Sequence, residues 1–226
     1  EVNHSFSDKI RISYDDVVFY YGGLRPLVET ESKEDVYNSS RKYEIFDNKE
    51  EGVDGLITVE GGKYTTSRNL AQKVIDFAIK KTGKKFSKSL TAKKYLTGSE
   101  IKDIENFVLK CKDRYREFNG AHIDYLARIY GTELDSVMNV ALSSKNLSQA
   151  LNNDGEMLAQ VIYAIKEEMA VTLSDILLRR TGIGTLGHPG KEVLQKVADA
   201  AAELLKWNDQ QKEEVIKKVE NIFKIP

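Results

Sequence analysis

A chain of 226 residues, 41% hydrophobic and 31% charged, is long enough for one large domain or two small ones with a sizeable core, and is not a disordered tail. Its 34 basic and 35 acidic side chains leave a net charge of −1, which argues against a nucleic-acid binder. The one cysteine, Cys111, excludes an intramolecular disulfide and a cysteine-cluster metal site, and no apolar run approaches the roughly 20 residues that span a bilayer. The chain begins at Glu1 with neither a methionine nor a signal-peptide pattern, so a piece of something longer is expected.

In chain order, Ser13-Tyr14-Asp15-Asp16 reads as a helix N-cap with acidic residues in the first turn. Tyr20 to Val28 mixes aromatics with Gly22-Gly23 and Pro26 and suits an extended segment. Thr30 to Ser39 is polar and reads as a loop. Tyr43 to Phe46 alternates, Gly55 to Val59 is apolar and β-branched, and the turn-rich stretch Asp47 to Asp54 between them predicts a hairpin. From Thr65 the period becomes helical: Leu70, Val74, Phe77 and Ala78 share a face, and Gly83 ends it. Thr82 to Lys94 reads as a solvated linker.

Ser99 with Glu100 predicts the start of a helix through Ile101, Ile104, Phe107, Val108 and Cys111. Amphipathic segments follow at about 121–130, 133–142, 156–180, 190–206 and 208–223. The expected fold is therefore α+β: a small β/α part over 1–92, then an all-α domain over 93–226.

Several motifs have an ordinary explanation. Gly182-Ile183-Gly184-Thr185-Leu186-Gly187 is a literal GxGxxG, but a dinucleotide site needs a strand ahead of it. Here a helix ending Leu177-Leu178-Arg179-Arg180 precedes it, which predicts a helix C-cap and a turn. His4, His122 and His188 stand at no metal-ligand spacing, so no metal is expected. Cys111 falls at an apolar helical position and reads as core. Glu167-Glu168 reads as solvated surface, as do Lys80-Lys81 and Lys84-Lys85, which would suit an anionic membrane surface.

The informative stretch is Gly61-Gly62-Lys63-Tyr64-Thr65-Thr66-Ser67-Arg68, between a predicted strand and a predicted helix. Glycines there permit φ > 0 and close approach of a ligand to the backbone. The helix start offers unpaired N–H groups and the positive end of its dipole, and Lys63 adds a charge. A tight turn with Thr65 or Thr66 as N-cap reads equally well from the same residues. Upstream, Arg25 sits in an apolar extended segment, where a guanidinium needs a partner or an anionic ligand, and Arg41 stands where a predicted strand begins. With Lys63 they suggest an anion-binding cluster.

These segments together resemble the flavin-dependent glycerol-3-phosphate dehydrogenases. Gly23 to Leu27 resembles that family's Gly-Leu/Val-Arg-Pro-Leu, Ser40 to Tyr43 its Ser/Thr-Arg-x-His/Tyr, and Gly61 to Arg68 its Gly-Gly-Lys-Leu-Thr-Thr-Tyr-Arg. Leu96-Thr97-Gly98 is similar to its Leu-Pro-Gly, and Tyr163 to Ala170 to its Tyr-Ala-Val-Arg-x-Glu-Met-Ala. Thr172 to Thr181 is similar to its Thr-Leu-x-Asp…Arg-Arg-Thr. Tyr64, Ser67 and Thr97 depart from the usual leucine, tyrosine and proline, and the ring of Tyr64 alters packing near a flavin.

The resemblance implies the C-terminal half of a flavoprotein, without the FAD-binding N-terminal region and its glycine fingerprint. In the family, sn-glycerol 3-phosphate is oxidised to dihydroxyacetone phosphate by hydride transfer to FAD, and electrons pass to a quinone or, in the related α-glycerophosphate oxidases, to O₂. The resemblance places Gly62, Lys63, Tyr64 and Thr65 against the pyrimidine edge of the flavin, and Arg25, Arg41 and Lys63 on the substrate. It places the catalytic base in the missing half, so no catalytic residue is expected in this chain. A cytoplasmic protein with peripheral contact at the inner membrane face is the implied location. The rival from another class is a non-enzymatic helical interaction module with a small β appendage.

Overall fold

The computed structural model describes residues 2–5, 11–23 and 43–225. The chain divides into two compact units, one of residues 22–95 and one of residues 1–21 with 96–226.

In the smaller unit, β1 (Tyr43–Asp47) pairs antiparallel with β2 (Ile57–Gly61), with Tyr43 opposite Gly61 and Asp47 opposite Ile57. Alternation in β1 is real: Tyr43, Ile45 and Asp47 are half-buried, while Glu44 and Phe46 face water. The second strand begins at Ile57 rather than Gly55, because Gly55 takes φ +92 and belongs to the turn. Helix α1 (Ser67–Thr82) follows and is stopped by Gly83 at φ +65, whose N–H donates to the Lys80 carbonyl. Lys81 on α1 pairs with Asp47 and Asp54, tying the hairpin to the end of the helix.

The larger unit holds the helices α2 (Ile104–Arg114), α3 (Gly120–Tyr130), α4 (Leu134–Leu142) and α5 (Leu158–Lys166). Then come α6 (Leu173–Asp175, continued by a π turn over Ile176–Arg180), α7 (Lys191–Leu205) and α8 (Asp209–Ile222). Two apolar clusters form the core. One joins α2, α3 and α4 through Cys111, Ile123, Leu126, Val137 and Met138; the other joins α6, α7 and α8 through Leu173, Ile176, Leu177, Leu194, Val197 and Val219. Helix α5 serves both, giving Ala159 and Tyr163 to the first and Leu158, Val161 and Ala164 to the second. That is why its sequence, Leu-Ala-Gln-Val-Ile-Tyr-Ala-Ile, is apolar nearly all round. Its one buried amide, Gln160, is satisfied: Oε1 accepts the Met157 N–H (2.8 Å) and Nε2 donates to the Tyr130 hydroxyl (3.1 Å).

Cys111 is a core residue at 3% exposure, and burial pushes its thiol up. Several sequence expectations need correction, that of an exposed Lys81 among them, since Lys81 is half-buried in its pair with Asp47. Ser13 begins no long helix: a single 3-10 turn, Tyr14–Asp16, forms, with the Asp16 carboxylate accepting from the Ser13 N–H (2.7 Å) and hydroxyl (2.8 Å). Helix α2 starts at Ile104 and not at Ser99, because Asp103 accepts the Asn106 N–H (3.1 Å) and caps it there. The segment 156–180 is two helices. Met169 takes the left-handed φ +59, and the Ala170 N–H reaches back to the Ala164 carbonyl, closing α5. Thr172 and Asp175 then form a reciprocal capping box that starts α6. Finally, Glu168 is not solvated surface: it is half-buried, and its Oε2 is covered.

Among the described residues, no helix is long and apolar enough to cross a membrane. The polar loop expected over Thr30 to Ser39, and most of the extended segment expected over Tyr20 to Val28, lie outside the described residues.

Candidate functional site at the β2–α1 junction

Strand β2 ends at Gly61 with φ +69, and Gly62 follows at φ +104, so two successive residues hold a conformation that L side chains rarely adopt. A Cβ on Gly62 would come within 3.0 Å of Leu70 Cδ2, so the chain folds back closely onto α1. Lys63 is extended, Tyr64–Thr66 form one 3-10 turn, and α1 begins at Ser67.

Thr66 occupies the N-cap position without capping. Its N–H (3.1 Å) and hydroxyl (3.2 Å) both donate to the Lys63 carbonyl, and its side chain accepts from none of the first-turn amides of α1. The Ser67 N–H donates to the Tyr64 carbonyl, so the 3-10 turn already occupies the first amide at the positive end of this 16-residue helix. Of the two readings open at this junction, the capped turn loses its cap.

Lys63, Tyr64 and Thr65 are exposed, Tyr64 at 96% of its surface. The Lys63 side chain has no hydrogen bond or ion pair among the described residues. Neighbouring cations are engaged. Arg68 Nη1 donates to Gln72 Oε1 (2.9 Å) and Thr91 Oγ1 (3.1 Å), and Lys73 donates to the Tyr43 hydroxyl (2.5 Å) with its ammonium over that ring. Arg25 and Arg41 lie outside the described residues. Sequence reasoning missed the grip of Arg68 on Thr91, in a segment it treated as a free linker; no periodicity signals a contact between a helix and an irregular stretch.

The GxGxxG segment is a packing loop. The Gly184 N–H donates to the Leu177 carbonyl (2.9 Å), and the loop leads out of the π turn. A side chain at Gly182 would run into the Tyr125 hydroxyl and lie 2.8 Å from Glu156 Oε1, and one at Gly184 would lie 2.9 Å from the Phe223 ring. The glycines admit neighbouring side chains, not a pyrophosphate. His188 accepts the Gly190 N–H on Nδ1 (2.9 Å) and packs edge-on against Phe223 (5.3 Å between ring centres).

Comparison with known proteins adds three findings. The family model for the C-terminal domain of alpha-glycerophosphate oxidase matches residues 89–212. The aerobic glycerol-3-phosphate dehydrogenase of Staphylococcus aureus strain USA300 is 30% identical over 235 aligned positions, covering 99% of this chain and 40% of that protein; the protein of the same name from the bovine strain RF122 / ET3-1 is 29% identical. The X-ray structure of the glycerol-3-phosphate dehydrogenase from Bacillus halodurans, complexed with FAD, matches with a TM-score of 0.75 at 24% identity, over 95% of this chain and 41% of that one, which shows a common fold. The chain thus spans about two fifths of the length of the curated relatives it matches.

Proposed function

This chain belongs to the family of the C-terminal domain of alpha-glycerophosphate oxidase, and on that premise we propose that it is the C-terminal part of an FAD-dependent enzyme oxidising sn-glycerol 3-phosphate to dihydroxyacetone phosphate. Residues 22–95 complete the flavin- and substrate-binding domain, and residues 96–226 form the helical domain, with which residues 1–21, expected in the first part, group instead. The observation that carries this reading is the β2–α1 junction: two positive-φ glycines, an uncapped helix start and the unpaired Lys63. The smaller unit also has no fully buried side chain among its described residues, which suits a piece of a larger domain.

The residues present fit the cofactor. FAD, when bound, supplies the two-electron acceptor. Gly62 holds the junction at φ +104 against Leu70, a backbone conformation that a side chain would strain. The positive end of the α1 dipole and the ammonium of Lys63 favour negative charge on a group held there. Thr65 and Tyr64 stand beside them. Arg25 and Arg41 hold the substrate phosphate, for which guanidinium forks are suited. The base that takes the substrate proton belongs to the other part of the protein. Electrons pass on to a quinone, and the protein works on the cytoplasmic side with peripheral membrane contact. The oxidase in the name of the matched family keeps O₂ as the second acceptor, and peroxide formation separates the two.

The test is Arg41→Ala in the full-length protein. Losing a charge-assisted contact present in both ground and transition states is expected to raise the apparent KM for glycerol 3-phosphate roughly tenfold or more. An unchanged KM removes the phosphate role. The 226-residue chain alone is expected neither to retain FAD through purification nor to turn over substrate with an artificial acceptor.

A further inference from the structure

From Lys80 to Tyr95 the smaller unit carries seven lysines and no acidic residue, in a chain whose net charge is −1. Lys81 is paired with Asp47 and Asp54; the other six lysines have no ion pair among the described residues. Every residue from 82 to 95 is exposed. Between the lysines stand three large apolar side chains, Phe86 at 60% exposure, Leu90 at 52% and Tyr95 at 62%.

This stretch is shaped and anchored. It leaves the C-terminal end of α1 at Gly83, and Thr91 Oγ1 accepts from Arg68 Nη1 (3.1 Å) in the first turn of the same helix. Residues 84–91 therefore run back beside α1, whose 16 residues span roughly 24 Å. Ser89 Oγ and Thr91 Oγ1 are hydrogen-bonded (3.0 Å). The N–H groups of Lys93 (2.8 Å) and Lys94 (3.0 Å) both donate to the Leu90 carbonyl and close a turn.

The composition of this strap selects its partner. Lysine is depleted where proteins pack on one another, so six unpaired ammonium groups in a row argue against a cover of further polypeptide. A nucleic acid would take the lysines but offers Leu90 nothing, and the net charge already argues against it. A bilayer surface with anionic headgroups takes both kinds of side chain. The ammonium groups lie at the phosphates, while their aliphatic stems and the apolar side chains reach the boundary with the acyl chains.

We propose that residues 84–95 are the surface by which this protein touches an anionic lipid bilayer, with the five lysines of the strap on the headgroups and Phe86 and Leu90 dipping below them. The proposal deepens, and rests on, the reading of peripheral membrane contact given above. It assigns that contact to one stretch of the smaller unit.

The test is co-sedimentation of the full-length protein with vesicles of phosphatidylglycerol and phosphatidylcholine in equal parts, and with vesicles of phosphatidylcholine alone. Binding is expected to the mixed vesicles and not to the neutral ones, and to weaken as salt is raised. The triple variant Lys84→Gln, Lys85→Gln and Lys88→Gln is expected to weaken partition about 100-fold. Phe86→Ser is expected to weaken it about tenfold, through lost apolar burial. A control, Lys110→Gln, Lys217→Gln and Lys218→Gln, removes as much charge from exposed positions of the helical unit and is expected to leave partition unchanged. Phe86→Trp supplies a second measurement: its emission is expected to shift to the blue with the mixed vesicles alone. No binding to mixed vesicles, equal binding to neutral ones, equal losses in the two triple variants, or a tryptophan at 86 that stays in water each overturns the assignment. None of these readouts needs flavin or substrate. Failure of the flavoenzyme reading shows separately, as absent flavin and absent glycerol 3-phosphate oxidation in the unmodified full-length protein without vesicles.

Discussion

Helix α1 lines up Leu70, Val74, Phe77 and Ala78 on one stripe, and every one of them stays partly in water. Helix α5, about half as long, buries Leu158, Ala159, Val161 and Ala164 against two clusters at once. The two helices differ first in sequence, seven apolar residues in sixteen for α1 against seven in nine for α5, and then in what covers them. All the fully buried apolar residues among the described positions fall in the helical unit. That unit is a self-sufficient core; the smaller one presents a strand–helix junction with Lys63 exposed. The contrast teaches that stability and chemistry are separated along this chain.

The sharpest way to break that contrast is to truncate one side chain in each unit. Leu126→Ala, at 0% exposure, is expected to cost roughly 2–5 kcal/mol, whereas Val74→Ala, half-exposed and leaving no closed cavity, costs under about 1 kcal/mol. Urea unfolding of both variants reads the difference, and equal losses would mean that the smaller unit has a core after all. A finer test uses glycines. Gly182→Ala is expected to destabilise by roughly 1–3 kcal/mol, because a methyl group there meets the Tyr125–Glu156 pair in a packed interior. Gly83→Ala, at φ +65 with open space around it, is expected to lose only about 1 kcal/mol of backbone strain. Thermal melts that rank them the other way would show that local backbone conformation, not packing, governs both units.

The smallest expected effect concerns the start of α6. Asp175 is held below the ordinary aspartate range, chiefly by the Thr172 hydrogen bond. Its folded-state pKa is depressed, so its stabilisation is present above the unfolded value, near pH 4, and fades as the pH falls through the folded one. Asp175→Ala is expected to cost about 1 kcal/mol at pH 7. The gap between variant and parent narrows progressively below about pH 4. A gap that persists unchanged into acid would remove the capping role. Helix α1, whose N-cap position carries no side-chain bond, offers no equivalent sensitivity at Thr66.

Much of the candidate site was readable in order but not in state. Glycines between a β-branched run and a helical period place a positive-φ junction at 61–62, and both take positive φ. Whether Thr66 caps the helix or turns to the Lys63 carbonyl was not readable, since both use the same residue at the same position. The same holds for Glu167 and Glu168. Adjacent acids point to different sides of a chain, and only the fold makes Glu168 half-buried while Glu167 stays exposed.

The amino-acid order alone determined the elements, because a side-chain period of two or of three to four is a local property of the chain. It thereby determined the hairpin, α1 with its stop at Gly83, the buried Cys111 and the all-α character of the second part. Only the tertiary structure decided that residues 156–180 break at Met169, that α2 begins at Ile104, that Gly182 is small because Tyr125 and Glu156 need its space, and that Glu168 Oε2 is covered without a donor. The first two are choices among competing local caps, at Asp103 and at Thr172 with Asp175, which periodicity does not rank; the Gly182 contact depends on atoms brought from far along the chain, and periodicity carries no information about which far surface arrives.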